Sequence, residues 1–264
     1  MPVTKKQVRK LLEPDEPNYD SAAALGAAAL PRLAALAAES NEFLAAKAVY
    51  LAGRIGGPEA EKIVQDAAVS ANPDIRVAAA AAAGKLSQPA ASEILMGLVG
   101  DPDLSVSKVA LRSIGPGATK GLFEKVVQLF RQTTMAPLQR VAGEALVRAA
   151  TSVNPAIQVQ VDYNPPGWDV DGEHVVIQNT GTSPLDLSGV RLEDAVRHSF
   201  NLNGVSVPAG AQVKVWTKAG TPLGESLYWG RRAAVWNNTG DVVILRDEND
   251  DPVAVYFYVR QEPD

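Results

Sequence analysis

The 264-residue chain has no cysteine and a formal net charge of −5. Disulfides, thiolate nucleophiles and cysteine-ligated zinc are therefore excluded, and no global polycation signature points to nucleic acid. The length suits two domains, each able to bury a core, and charge divides unevenly between them: 17 Lys+Arg against 15 Asp+Glu in residues 1–150, then 8 against 15.

The opening MPVTKKQVRKLLEPDEP is charged and then broken by prolines. It lacks the apolar stretch of a leader peptide, and no later run approaches the roughly 20 apolar residues of a membrane span. The expectation is a cytoplasmic protein without a membrane partner. Residues 1–150 are rich in alanine, leucine and arginine and contain no tryptophan; beyond Thr151 valine, tryptophan, glycine and asparagine take over. That is a change from helix-favouring to strand-favouring composition. The predicted organisation is a helical domain over 1–150, a linker over 151–157 around Pro155, and a β domain over 158–264.

The helical half repeats itself. NEFLAAKAVYLAGRIGGPEA (41–60), NPDIRVAAAAAAGKLSQPAA (72–91) and DPDLSVSKVALRSIGPGATK (101–120) each read as a turn, a small-residue helix, a Gly or Ser, and a proline opening the next helix. APLQRVAGEALVRAA (136–150) is a looser fourth copy, and Pro31 precedes the first copy as Pro58, Pro89 and Pro116 follow later. Proline is tolerated in a first helical turn because that N–H has no intrahelical partner. A unit of about 30 residues made of two helices predicts an α-solenoid. The motifs NPDIRVAAAAAAGKL and DPDLSVSKVALRSIG resemble HEAT repeats of the short, PBS-lyase-like kind, over roughly residues 20–149. The resemblance implies that the second helix of each pair lines the binding surface.

In the first repeat Leu44, Ala48, Leu51 and Ile55 follow helical spacing and are expected in the core. That leaves Lys47, Tyr50 and Arg54 as an outward stripe, continued by Arg76 and Lys85, Lys108 and Arg112, then Arg140 and Arg148. These nine are the candidate groove, suited to an acidic peptide, a protein surface or a phosphate backbone. The alternative is a solvated face that carries cations to stay soluble. With one aromatic and no glycine-rich phosphate cradle, nucleic acid ranks behind protein as a partner.

The second half reads as short strands at 157–162, 173–180, 211–217, 241–247 and 253–259, separated by NPPG, NTGTSP, VPAG and RDENDDP turns. This spacing predicts an antiparallel β-sandwich. The segments DGEHVVIQNTGTSPLDLSGVRLED, VPAGAQVKVWTKAG and LYWGRRAAVWNNTGDVVILRDEND resemble a bacterial-type lamin tail domain from about Val159 to Tyr258. The resemblance implies an immunoglobulin-like fold used as an add-on module, with no catalytic residue to carry over. Trp229 and Trp236 are expected to close the core, with Asn237, Asn238 and Gly240 turning the chain into the next strand. Trp168 is the expected exposed tryptophan and, with Arg231 and Arg232, the candidate sandwich surface.

Asp247, Asn249 and Asp251 alternate as calcium ligands do, but the glycine and the final glutamate of such a loop are missing. A polar hairpin turn is the simpler reading. Asp169, Asp171 and Glu173 form a second acidic cluster. His174 and His198 have no spaced partners for a zinc site or a triad, and no nucleotide or hydrolase motif is present. A chromophore-handling role, as in bilin lyases, is the third reading. No cofactor or small-molecule substrate is expected, and the leading expectation is a non-enzymatic scaffold or adaptor, with a polyanion binder as the alternative.

Overall fold

The computed structural model describes residues 2–150 and 153–260. The chain divides into two compact units, residues 1–125 and 126–264.

The first unit opens with α1 (Lys5–Leu12), α2 (Tyr19–Ala23), a short 3-10 turn (Gly26–Ala29) and α3 (Leu30–Ala37). Next come α4 (Glu42–Ile55), α5 (Pro58–Ala68), α6 (Pro73–Ala83), α7 (Ala90–Leu98) and α8 (Leu104–Ser113); α9 (Lys120–Gln132) crosses the division. The first two repeats start on helix caps, and the third has its cap two residues in, at Asp103. The side chains of Asn41, Asn72 and Asp103 accept the N–H groups of Leu44, Asp74 and Ser105 at 3.1, 2.8 and 2.8 Å, satisfying donors that a helix start leaves unpaired. Pro31 and Pro58 lie in the first turns of α3 and α5 as the sequence predicts, and Pro73 opens α6 as well. Pro116 instead lies in the turn before α9, and Pro89 is the cap residue of α7.

α4, α6 and α8 stack on one another as one layer, with α3, α5 and α7 as the other. Between the layers lie Leu33, Leu36, Leu51, Val64, Leu95, Leu98 and Leu111, all at most 2% exposed. Each such side chain stabilises the fold by about 1.5–3 kcal/mol. Alanines make the stacking layer close. A Cβ on Gly53 would fall 2.6 Å from the carbonyl oxygen of Ala82, and one on Gly84 would fall 2.9 Å from the Ser113 side chain.

The second unit holds the rest of α9, α10 (Ala136–Ala149), and the strands β1 (Ile157–Asp162), β2 (His174–Asn179), β3 (Leu185–Asp186), β4 (Arg191–Glu193) and β5 (Ser199–Asn201). After these come β6 (Ser206–Val207), β7 (Gln212–Trp216), β8 (Ser226–Tyr228), β9 (Gly240–Arg246) and β10 (Pro252–Val259), with one-turn α11 (Asp169–Gly172) before β2. Two four-stranded sheets, β1-β2-β7-β8 and β10-β9-β4-β5, enclose the core, and β3-β6 forms a small ribbon. Pairing is antiparallel throughout these sheets except where β8 joins β7 in parallel. Val159, Val175, Ile177, Val213 and Val215 point inward and are at most 7% exposed, while Ile157 and Val161 on the same face of β1 are half-buried.

The change from helix to strand falls after Ala149, but the compact units divide earlier because α10 packs on β10. Gly143 receives the Phe257 ring, which a Cβ there would strike at 2.3 Å. Of the expected linker, residues 151 and 152 lie outside the described residues. The remainder is fastened: the N–H of Asn154 donates to Val253 O at 2.9 Å, and Ile157 already belongs to β1.

Candidate functional site

The helical spacing of α4 places Leu44, Ala48 and Leu51 in the core, with Ile55 at its end only half-buried, and leaves Lys47, Tyr50 and Arg54 on its outer side. All three already have partners from the N-terminal segment. Lys47 Nζ donates to Pro14 O at 2.7 Å. The Tyr50 ring meets Tyr19 edge-on, centroids 4.8 Å apart and planes at 81°, and Arg54 forms an ion pair with Asp20. Burial, followed by the neighbouring Tyr50, pushes the Tyr19 hydroxyl above its ordinary pKa. The sequence reading passed over this segment, although the acids of EPDEPNYD are opposite in sign to the stripe they lie on.

Arg76 is not a groove cation. Its Nε and Nη2 donate to the two oxygens of Asp101 at 2.8 and 2.9 Å, and its Nη1 donates to the carbonyls of Ser70 and Ala71. The guanidinium holds the Asp101 carboxyl below the usual range. This arginine joins consecutive turns. Lys85 lies just past the end of α6, not within the helix. Close packing of Gly84 on Ser113 puts Lys85 near the end of α8 that carries Arg112. Lys108 is half-buried and Arg112 exposed on α8. The outer side of α6 offers only half-buried Val77, Ala78 and Ala81. The structure thus brings together Lys85, Lys108 and Arg112, none of which has a hydrogen-bonded or ion-pair partner among the described residues. Arg140 (exposed) and Arg148 (half-buried) belong to α10, in the second compact unit.

In the sandwich, Trp236 is 1% exposed and Trp229 packs between it and Phe200, at 6.1 and 5.7 Å. Trp168 is 81% exposed, in the turn before α11. Arg231 donates its backbone N–H to Thr217 O at 2.8 Å, and Arg232 is exposed. Among the described residues no hydrogen bond or cation–π contact joins these two arginines to Trp168. The acidic run closes the β9–β10 hairpin: one oxygen of Asp247 accepts the N–H groups of Asn249 and Asp251, both at 2.9 Å, and Asp250 pairs with Arg191. Beneath it Glu193 joins Arg191 and the fully buried Arg246, at 2.6 and 3.0 Å. Among the described residues no group of three or more His, Cys, Asp or Glu could hold a metal ion.

Two buried acids were not picked out as such from the sequence. Asp241 is pushed up to about 6 by burial, against the N–H groups of Val242, Asn237 and Ala195 that its oxygens accept. It borders a cavity of about 650 Å³ lined also by Phe130, Arg131, Gln139 and Asn237. Glu173, a member of the second acidic cluster, is raised by burial and accepts Val235 N–H at 2.7 Å. His198 Nδ1 lies 2.7 Å from Asp194, and His174 lies against the Trp216 ring at 4.4 Å. The charged core of the sandwich is turned upon itself.

The helical pairs and the sandwich each correspond to a known family. Residues 29–115 match HEAT repeats, and residues 150–260 match the lamin tail domain. The chain carries HEAT repeats followed by a lamin tail domain. No curated protein matches it. Among solved structures, the complex of CpcE and CpcF of phycocyanin lyase from Nostoc sp. PCC7120 is 18% identical, covering 53% of this chain and 96% of the other, with a TM-score of 0.45. A designed armadillo repeat protein in complex with a (KR)4 peptide is 15% identical, covering 55% and 69%, with a TM-score of 0.35. The DNA-bound alkylpurine DNA glycosylase of Pseudomonas fluorescens is 12% identical, covering 97% and 74%, with a TM-score of 0.32. These similarities are too remote to carry a function across. No helix among the described residues is long and apolar enough to cross a membrane.

Proposed function

We propose that this protein is a non-enzymatic adaptor. Its HEAT repeats hold an acidic, extended segment of a protein partner, and its lamin tail domain tethers that complex to a second surface. One observation carries the reading: Lys85, Lys108 and Arg112 stand where the end of α6 packs on α8, with no hydrogen-bonded or ion-pair partner among the described residues. In the lamin tail domain, by contrast, the buried charges of Glu193, Arg246 and Asp194 are matched internally. A row of unmatched cations beside the small side chains of α6 suits an extended acidic chain, which needs charge opposite it and little bulk beneath it.

The test is fluorescence anisotropy on the full chain with a labelled acidic peptide. The triple reversal K85E/K108E/R112E should weaken binding at least about tenfold, in line with the cost of like charges across an interface. Unchanged affinity would remove the proposal. A DNA oligonucleotide of equal charge serves as comparison. Tighter binding to DNA, falling steeply with salt, would replace the adaptor with a polyanion binder.

A further inference from the structure

We infer that residues 13–20, EPDEPNYD, are an intramolecular stand-in for the partner, occupying the α4 part of the basic face until an acidic, tyrosine-bearing segment displaces them. The inference deepens the adaptor reading and rests on it.

The segment touches the face through three kinds of chemistry. A backbone carbonyl, Pro14 O, accepts from Lys47; a ring, Tyr19, lies edge-on to Tyr50; a carboxylate, Asp20, pairs with Arg54. Glu13, Asp15 and Glu16 complete a run of four acids against a cationic stripe. Pro14 and Pro17 keep the backbone from continuing α1, so the segment runs without helix until Tyr19.

End-capping of the repeat stack is the work of other residues. Val8, Leu12 and Ala22 are fully buried, and Glu39 ties α1 down through Lys5 and Arg9. Asp20 itself is exposed. A pair with so exposed a carboxylate is weak, so the contact exchanges easily, while anchorage at both ends keeps the local concentration of the segment high. An incoming segment must outcompete it. Once displaced, the stripe of Lys47, Tyr50 and Arg54 joins Val77, Ala78 and Ala81 of α6, and then Lys85 and Arg112, as one face.

The probe is a labelled synthetic peptide of residues 13–24, EPDEPNYDSAAA, titrated against the full chain. The Y19A/D20A variant, which vacates the stripe, should bind it about tenfold more tightly than the natural chain. Adding R54E should cancel that gain. Far-UV circular dichroism checks the helices; D20N, which removes only the charge, should give a smaller gain in the same direction. Equal affinities for the natural chain, Y19A/D20A and D20N, no binding by any of them, or a gain that survives R54E would each overturn the inference. The adaptor reading fails separately, by an unchanged response to K85E/K108E/R112E.

Discussion

Arg76 and Asp101 face each other across consecutive repeat turns as a two-pronged pair, their side chains only 15% and 6% exposed. The arginine closes on Ser70 O and Ala71 O as well, so a single guanidinium fastens the turn before α6 to the turn before α8.

Replacing Arg76 with alanine should therefore destabilise the HEAT repeats, because Asp101 and the carbonyls of Ser70 and Ala71 lose their shared donor. Urea unfolding followed by circular dichroism at 222 nm reads this directly. R76K keeps the charge without the fork and should fall in between. A loss under about 0.5 kcal/mol, the level of an exposed ion pair, would mean that the turns hold each other without the clamp.

The lamin tail domain should lose stability as pH rises. Asp241 has its folded pKa raised by burial to about 6 from 3.8, so between those values the folded state holds a proton that the unfolded state has released. The Asp241 contribution is then fully present below about pH 4, declines towards pH 6 and is lost above, a change of about 3 kcal/mol. Glu173, raised for the same reason, acts in the same direction. All four tryptophans lie in this part of the chain, so denaturant unfolding followed by their fluorescence reports on it. Measured from pH 4.5 to 7.5, D241N should flatten the slope; a natural chain with no slope contradicts the prediction.

The tryptophans themselves should separate into two kinds. W236A empties a fully enclosed site in the sandwich core and should cost about 3–5 kcal/mol. W168A removes a side chain that solvent already surrounds and should change stability by less than about 0.5 kcal/mol. The contrast is measured by thermal melting of the two variants side by side. Similar losses would mean that Trp168 packs in solution.

Much of this architecture was legible. The five strand predictions recover β1, β2, β7, β9 and β10, because each is a run long enough to show alternation or continuous apolarity. The strands that escaped, β3, β4, β5, β6 and β8, have two or three residues each, too few for any period to register. The period of about 30 residues announced the helix pairs, while the caps Asn41, Asn72 and Asp103 emerged only in the structure. The candidate face was half legible. Spacing alone identifies which residues leave the core of α4, but it cannot say what returns to cover them, and Tyr19 and Asp20 are more than 30 positions away from their partners. Arg76 misled for a related reason. A cation on a helix looks the same in sequence whether it meets solvent or, as here, a carboxylate one turn further along the stack.

The glycines at Gly53 and Gly84 have a metric consequence. At each, the neighbouring helix comes so close that a methyl group has no room, and main-chain atoms rather than adaptable side chains fix the interval between α4, α6 and α8. Packed helices stand about 8–10 Å apart, and here that distance has little freedom to breathe. The repeats therefore act as a ruler: side chains presented by successive helices of the stack are held at a set pitch.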